Sequence, residues 1–482
     1  MKRQLPENPN LEFLKTQAKE LLRELRTSSP LTKLHMAQHQ LAMEYGFASW
    51  PKLVSSIQDS QLASASLAAS VALIESGLLN PRDGKRAARL LTLRPELAAE
   101  SLTCALMALD LDQVRRQFQG HEPTGSQGLE PIVYAAFSPL ARSKPKEYKE
   151  VLSYLLERGA NPNGFLLLPS QPDSPLSVLY GAVGLADDPE VCEMLLAAGA
   201  NPNDNESLYH SCESRNHQCT RLLLQHGAKI DGCNALLRML DYEDLEGLEI
   251  LLSHKPDLMN PNALLHALRR GRSDAILEHL VGAGADPLAE DETGTSAAQV
   301  AFERGRPIPA LLKDFQPSGP DQLLAACWRG DVAEARRLRS YGSDLSLLRR
   351  KAFPDACWLN QYQAIDAFIA AGFSVMERDD SKGTPLHAAC FAGYPKVVSA
   401  LLAHNPPLDD ANDYYQAIPL QWAMYASEQA EDHPGIEVRD WVGCVELLLE
   451  AGSPPPVSLF GSGEVQDLVL AKWPDLASKA GE

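Results

Sequence analysis

Leu155-Leu156-Glu157-Arg158-Gly159-Ala160-Asn161-Pro162-Asn163 returns as Leu195-Leu196-Ala197-Ala198-Gly199-Ala200-Asn201-Pro202-Asn203, and again as Leu223-Leu224-Gln225-His226-Gly227-Ala228. Further copies end at Gly284-Ala285-Asp286, Gly342-Ser343-Asp344, Gly372-Phe373 and Gly452-Ser453. Gly159 and Gly199 are 40 residues apart, Gly199 and Gly227 are 28, Gly342 and Gly372 are 30, and the 58 between Gly284 and Gly342 make two units of 29. Lys255 and Asn405 take the glycine slot in two other copies. Self-similarity at a period of about 30 residues is the mark of a solenoid of stacked units. Within a unit, Val191, Met194 and Leu195 fall at i, i+3 and i+4, one apolar stripe on a helix. The glycine that follows stops that helix in a left-handed conformation, where a Cβ would clash. A short helix pair cannot bury its apolar face alone, so neighbouring units must share one continuous core.

The best-formed unit reads Thr384-Pro385-Leu386-His387-Ala388-Ala389, then Gly393 and Leu401-Leu402. It resembles the signature of the ankyrin repeat. Pro131-Ile132, Pro175-Leu176 and Pro419-Leu420 keep the Pro-apolar start of the first helix, whereas Ser207-Leu208, Ala235-Leu236 and Ala263-Leu264 keep only the apolar residue. The resemblance implies an all-α ankyrin-repeat solenoid over 126–482, about eleven units from Leu129 onward, with divergent helical repeats in 62–125 around Ser66–Leu97 and Leu102–Phe118. Middle units are shorter than the roughly 33 residues of the family, so trimmed finger turns are expected there. It also implies a structural role for His387, which falls in the slot whose histidine joins adjacent units. His266 falls one position later and is expected nearer the surface.

Residues 1–61 read differently. Asn10 precedes Leu11, Leu14, Ala18, Leu21, Leu22 and Leu25, an amphipathic helix with an N-cap, and a second helix is predicted near Leu34–Tyr45. Gly46-Phe47-Ala48-Ser49-Trp50-Pro51 then resembles a helical module at the head of many bacterial ankyrin-repeat proteins. Solenoid ends need a cap with a polar outer face, and the module is expected to be one, a separate docking module being the alternative.

Composition bounds the function. The 482 residues carry 44 basic and 63 acidic side chains, a net charge of −19, which disfavours nucleic acid and anionic membrane surfaces as partners. No stretch approaches the roughly 18 apolar residues of a membrane span, and no apolar run follows Met1-Lys2-Arg3, so neither a span nor a leader is expected. Nine irregularly spaced cysteines do not make a disulfide framework. A cytoplasmic protein is expected.

Catalytic motifs are not legible. Asp83-Gly84-Lys85 lacks the preceding glycines of a phosphate loop, Gly125-Ser126-Gln127-Gly128 is one residue short of a nucleophile elbow, and His121-Glu122 lacks a second histidine. His210, Cys212, His217, Cys219, His226 and Cys233 include zinc-type ligands at H-x-C…H-x-C spacing. The repeat frame puts them on two helices facing different neighbours, so no metal or cofactor is expected.

One column of the repeat is informative. In the ankyrin pattern the residues just after Ala-Ala-x are variable and face the concave groove. Here the column reads Phe137, Gly181, Glu213, Asp241 and Arg269, then Trp328, Trp358, Phe391 and Tyr425. Equivalent positions of stacked units lie about 10 Å apart, so the last four would form an aromatic ladder. Two roles fit these rings: packing between units, or an anchor patch for a partner, since Trp and Tyr dominate interface hot spots. Glu213 and Asp241 would lie beside the ladder as an acidic stretch. The expected function is that of a non-enzymatic scaffold binding another protein, one with a partly basic, partly apolar segment, through the concave face and finger tips. The acidic tips are Glu377–Asp380 and Asp409–Asp413, and an insert between Tyr425 and Val442 lengthens one unit. The alternatives are an inhibitor or immunity protein that masks a cognate toxin or enzyme, and a zinc-dependent enzyme around His210–Cys233.

Overall fold

Helix Pro189–Ala197 ends as its sequence demands: Gly199 stands at φ +96°, and the Ala200 N–H reaches back to the Leu195 carbonyl at 2.9 Å. Lys255 and Asn405 adopt the same hand, at φ +53° and +51°. The glycine slot is therefore a requirement for backbone conformation, which an Asn or Lys meets at some cost in strain. Gly342 lies outside the described residues. The computed structural model describes residues 3–6, 9–29, 34–79, 81–169, 171–259, 262–340, 349–411, 413–429, 439–473 and 475–476. Asn412 and residues 430–438, the middle of the predicted insert, also fall outside them.

The chain divides into two compact units, Met1–Cys233 and Asn234–Glu482. In the first, helices Leu11–Ser28, Leu34–Glu44 and Trp50–Ala63 pack through two small clusters, one on Leu14, Ala42, Leu53 and Ile57, the other on Ala18, Leu21, Ala37 and Leu41. The third helix was not anticipated from the sequence. Its signals are local: the Ser49 hydroxyl accepts the Lys52 N–H at 3.4 Å, and Pro51 sits in the first turn, where no N–H is needed. Helix pairs follow at Leu67–Ser76 with Pro81–Leu93, Leu102–Ala108 with Leu111–Gln117, Pro131–Ala136 with Pro145–Leu156, and Ser207–Ser211 with Gln218–Gln225.

One element departs from the all-helical expectation. Phe165–Leu168 and Gln171–Ser177 form an antiparallel hairpin with Leu166 opposite Leu176. Pro175-Leu176, expected to open a helix, lies instead in its second strand. Helix initiation waits for Ser177, whose hydroxyl accepts the Tyr180 N–H at 2.9 Å. Prolines at 172 and 175 are compatible with a two-stranded edge, where a strand N–H can be spared. The helix then widens into a π turn over Gly181–Ala186. Gly181 is obligatory there: a Cβ would stand 2.6 Å from the Ala136 carbonyl oxygen of the neighbouring helix.

The repeated Asn-Pro-Asn has a mechanical role. The Asn163 side chain accepts the Asn201 N–H at 2.8 Å and donates to the Gly199 carbonyl at 3.0 Å. Asn203 repeats this one unit on, with the Lys229 N–H at 2.8 Å and the Gly227 carbonyl at 3.2 Å. Each such asparagine laces its turn to the next.

The second unit stacks pairs Ala235–Leu240 with Leu245–Leu252, Ala263–Arg269 with Asp274–Gly282, Ala297–Glu303 with Pro309–Leu312, Gly319–Trp328 with Val332–Ser340, Ala352–Trp358 with Ile365–Ala370, Pro385–Ala392 with Pro395–Leu402, and Pro419–Glu428 with Trp441–Glu450, closed by Gly463–Lys472. The first helices of successive pairs lie side by side. Phe353 and Phe368, both fully buried, stack at 5.0 Å in its core. No described helix is long and apolar enough to cross a membrane.

Candidate functional site

Because Trp328, Trp358, Phe391 and Tyr425 sit at matching places near the ends of successive first helices, stacking brings them into a row. The row is not uniform. Trp358 and Phe391 stack with ring centroids 5.3 Å apart and planes 21° from parallel, and Phe391 leans on Tyr425 at 6.3 Å. Trp358 and Phe391 are half-buried and Tyr425 is 52% exposed. Trp328 is 8% exposed and packs edge-on against Phe368 in the core, with the Arg304 guanidinium 4.7 Å from its ring centre. Trp328 is therefore core, the packing role that the sequence offered, and the other three rings form a continuous, partly exposed strip. Trp422, buried beneath the strip, meets Phe391 at 5.7 Å and links it to Tyr415 at 5.8 Å. Tyr414 and Tyr415, at the tip of that finger, are 64% and 71% exposed.

Trp328, Trp358 and Phe391 form one wall of a groove of about 590 Å³ along the ends of the first helices. The other wall is arginine. Arg238, Arg270, Arg272, Arg304, Arg306 and Arg439 line the groove against two carboxylates, Asp241 and Glu243. Two more carboxylates bind these cations from outside the lining: Asp355 lies 3.2 Å from Arg304, and Asp274 pairs with Arg306. Among the described residues, six cations thus face four anions. Sequence reading missed this wall. Its signal was Arg270-Gly271-Arg272 returning as Arg304-Gly305-Arg306, one unit later and at the same turn.

Asp241 does not present a free negative charge. Arg270 pairs with it at 2.7 Å, His266 at 3.0 Å and Arg238 at 3.4 Å. Burial works against its carboxylate, yet the His266 hydrogen bond and these neighbouring charges together hold its pKa below the usual range. The expected acidic stretch is therefore replaced at this position by a cationic surround. Glu213 belongs to the other unit and accepts from His210 at 3.0 Å. Of the finger-tip acids, Asp379, Asp410 and Asp413 are likewise engaged by the fold. Asp379 accepts the Gly383 N–H, Asp410 pairs with Arg378 at 2.7 Å, and Asp413 accepts the Tyr415 and Ala417 N–H groups and the Trp422 indole.

His387 is buried between units. Its Nδ1 accepts from the Thr384 N–H and hydroxyl, so Nε2 carries the proton and donates to the Ala417 carbonyl of the next unit at 3.0 Å. The His/Cys group of the first unit does not converge. Cys212 donates to the Leu208 carbonyl, Cys219 faces Cys192, Cys233 turns to the Lys229 and Ile230 carbonyls, and His226 is exposed. Among the described residues no group of three or more His, Cys, Asp or Glu is arranged to hold a metal ion.

Residues 179–263 match the family model of ankyrin repeats in three copies, and residues 383–413 match the model of a single ankyrin repeat. The chain carries ankyrin repeats. Among solved structures, the ankyrin repeat domain of Bcl-3, titled a unique member of the IkappaB protein family, is similar at 18% identity. That similarity covers 55% of this chain and 96% of the other, with a TM-score of 0.29. No curated protein matches the chain.

Proposed function

We propose that this chain is a non-enzymatic scaffold that captures another protein on the aromatic strip of its second unit. The observation that carries the reading is the contiguous, solvent-facing row Trp358–Phe391–Tyr425 beside an open groove. Ankyrin repeats are in general protein-interaction modules, and the matched segment 383–413 supplies Phe391. A row fixed by stacked helices loses little entropy on binding, so aromatic contacts there translate efficiently into affinity. Trp328 supports the row from behind. Asp241 belongs to the site as the carboxylate that orients Arg270 and Arg238. The three N-terminal helices serve as a cap, a role supported by the ion pair of Asp59 on the third helix with Arg89 on the first repeat-like pair. The nine cysteines are unbridged, which supports a reducing, cytoplasmic setting.

The test is affinity capture from a native lysate with wild type and with W358S/F391S/Y425S, read by mass spectrometry beside circular dichroism. A protein lost from a variant that keeps its helical signal is the expected result. Equal capture by both proteins would overturn the reading.

A further inference from the structure

The groove beside the aromatic strip carries a charge opposite to that of the chain. At physiological ionic strength charges are screened over about 8 Å, so a ligand in the groove meets its walls and little of the net −19. Among the described residues, those walls hold six arginines against four carboxylates, the outlying partners included. Arg270 remains 40% exposed despite its bond to Asp241, and Arg439, half-buried, faces the same space from the start of helix Trp441–Glu450. The guanidinium of Arg272 is held below its ordinary pKa chiefly by burial; Glu243 and Asp241 oppose the shift, and the like charges of Arg270 and Arg439 add to it.

Hydrogen-bonding capacity is lopsided in the same direction. Among the described lining residues, the buried side-chain atoms without a hydrogen-bond partner are Arg272 Nη1, Arg304 Nε, Trp328 Nε1 and Arg439 Nε. All four are donors. Asp241 and Glu243 supply acceptors, with Glu243 3.7 Å from Arg272 Nη1, yet among the described residues these four donors make no hydrogen bond, and a donor left unmatched away from water is costly.

We propose that this groove binds an acidic, extended segment of the partner protein. Its carboxylates meet Arg270 and Arg439, with Arg238 and Arg272 behind them, and one large apolar side chain lies against Trp358, Phe391 and Tyr394. The proposal rests on the partner-binding reading above and names the chemistry of the partner. Arginine suits the task because its planar fork bonds a carboxylate in two places and also stacks on aromatic rings.

The experiment uses the full chain and a pool of short peptides in which Glu or Asp alternates with randomised positions around one Phe, Trp or Leu. A charge-reversed pool with Lys and Arg and a single-stranded RNA oligonucleotide complete the panel, with binding read by fluorescence polarisation. The acidic pool should bind, should be weakened by raising salt from about 0.05 to about 0.3 M, and should lose about tenfold or more in R270Q/R439Q. Thermal melts of that variant confirm that it remains folded, and F391L, which keeps an apolar residue in place, should weaken the same pool. Failure of the acidic pool, equal binding of the basic pool, indifference to R270Q/R439Q, or arginine-dependent binding of RNA in place of peptide would each overturn the proposal. If W358S/F391S/Y425S still abolishes partner capture while the acidic pool fails, only the acidic-segment assignment falls. If that variant also captures normally, the partner-binding reading falls with it.

Discussion

The rings of Trp358 and Phe391 stack at 5.3 Å although 33 residues separate them in the chain. Neighbouring repeats place them at equivalent positions, so their contact reports directly on the register between two units. Offset stacking of this kind contributes about 0.5–1.5 kcal/mol beyond buried area. A double-mutant cycle of W358L and F391L should give a coupling energy of that size in urea denaturation. Additive single effects would mean that the two units slide relative to each other.

Asn163 and Asn203 each make two bonds across a unit boundary, whereas Asn201 bonds within its own turn, accepting the Asn203 N–H and donating to the Asn203 carbonyl. Asn203→Ala should therefore cost about 1–3 kcal/mol, because a backbone N–H and a carbonyl lose their partner at once. Asn201→Ala should cost less. Urea denaturation of both variants beside wild type makes the comparison, and equal losses would assign the motif to turn formation alone.

Glu303 is fully buried against Arg349, which also reaches Asp355 at 2.9 Å. Burial opposes the charge on Arg349, but the two carboxylates outweigh it and raise its pKa. Removing Arg349 leaves Glu303 without its partner in a low-dielectric site, whereas removing Glu303 leaves Arg349 still paired with Asp355. Arg349→Met should destabilise the second unit by about 3–5 kcal/mol and Glu303→Gln by less, and the double substitution should recover part of the Arg349→Met loss. Calorimetric melting of the three variants tests the pattern.

His387 predicts a pH dependence of defined sign. Its folded pKa lies below the ordinary 6.5, chiefly through burial. Below that value the unfolded chain binds a proton that the folded chain refuses, so stability is full above about 6.5 and falls as the pH drops toward the folded pKa. Asp379 acts in the opposite direction. Burial raises it to about 6, so its contribution is full below about 3.8 and is lost as the pH rises through 6. A profile of wild type alone would mix the two. The stability difference between wild type and H387Q isolates the histidine, and it should shrink as the pH is lowered from 7 to 5. A flat difference would mean that His387 titrates normally.

The period, the helix stops and the glycine slots were legible because they depend on local backbone conformation: Gly199, Lys255 and Asn405 all stand where the spacing put them. The aromatic column was legible for the same reason, since a fixed repeat length carries equivalent positions to equivalent places. The hairpin at Phe165–Ser177 was missed because Pro175-Leu176 imitates a helix start, and the nearer cap at Ser177 prevailed. The helix Trp50–Ala63 was missed although Ser49 and Pro51 announce it.

The sequence by itself determined the repeat architecture of this protein, because periodic apolar stripes and left-handed stops act within one unit and need no knowledge of the next. Only the tertiary structure decided which rings face solvent and what charge the groove carries. Trp328 and Trp358 share a column, yet Phe368 and Arg304 enclose the first while the second stays open to Phe391. The net charge of −19 pointed to a basic ligand, but charge acts over a screening length of about 8 Å, and folding gathers arginines from several units into one groove within that range.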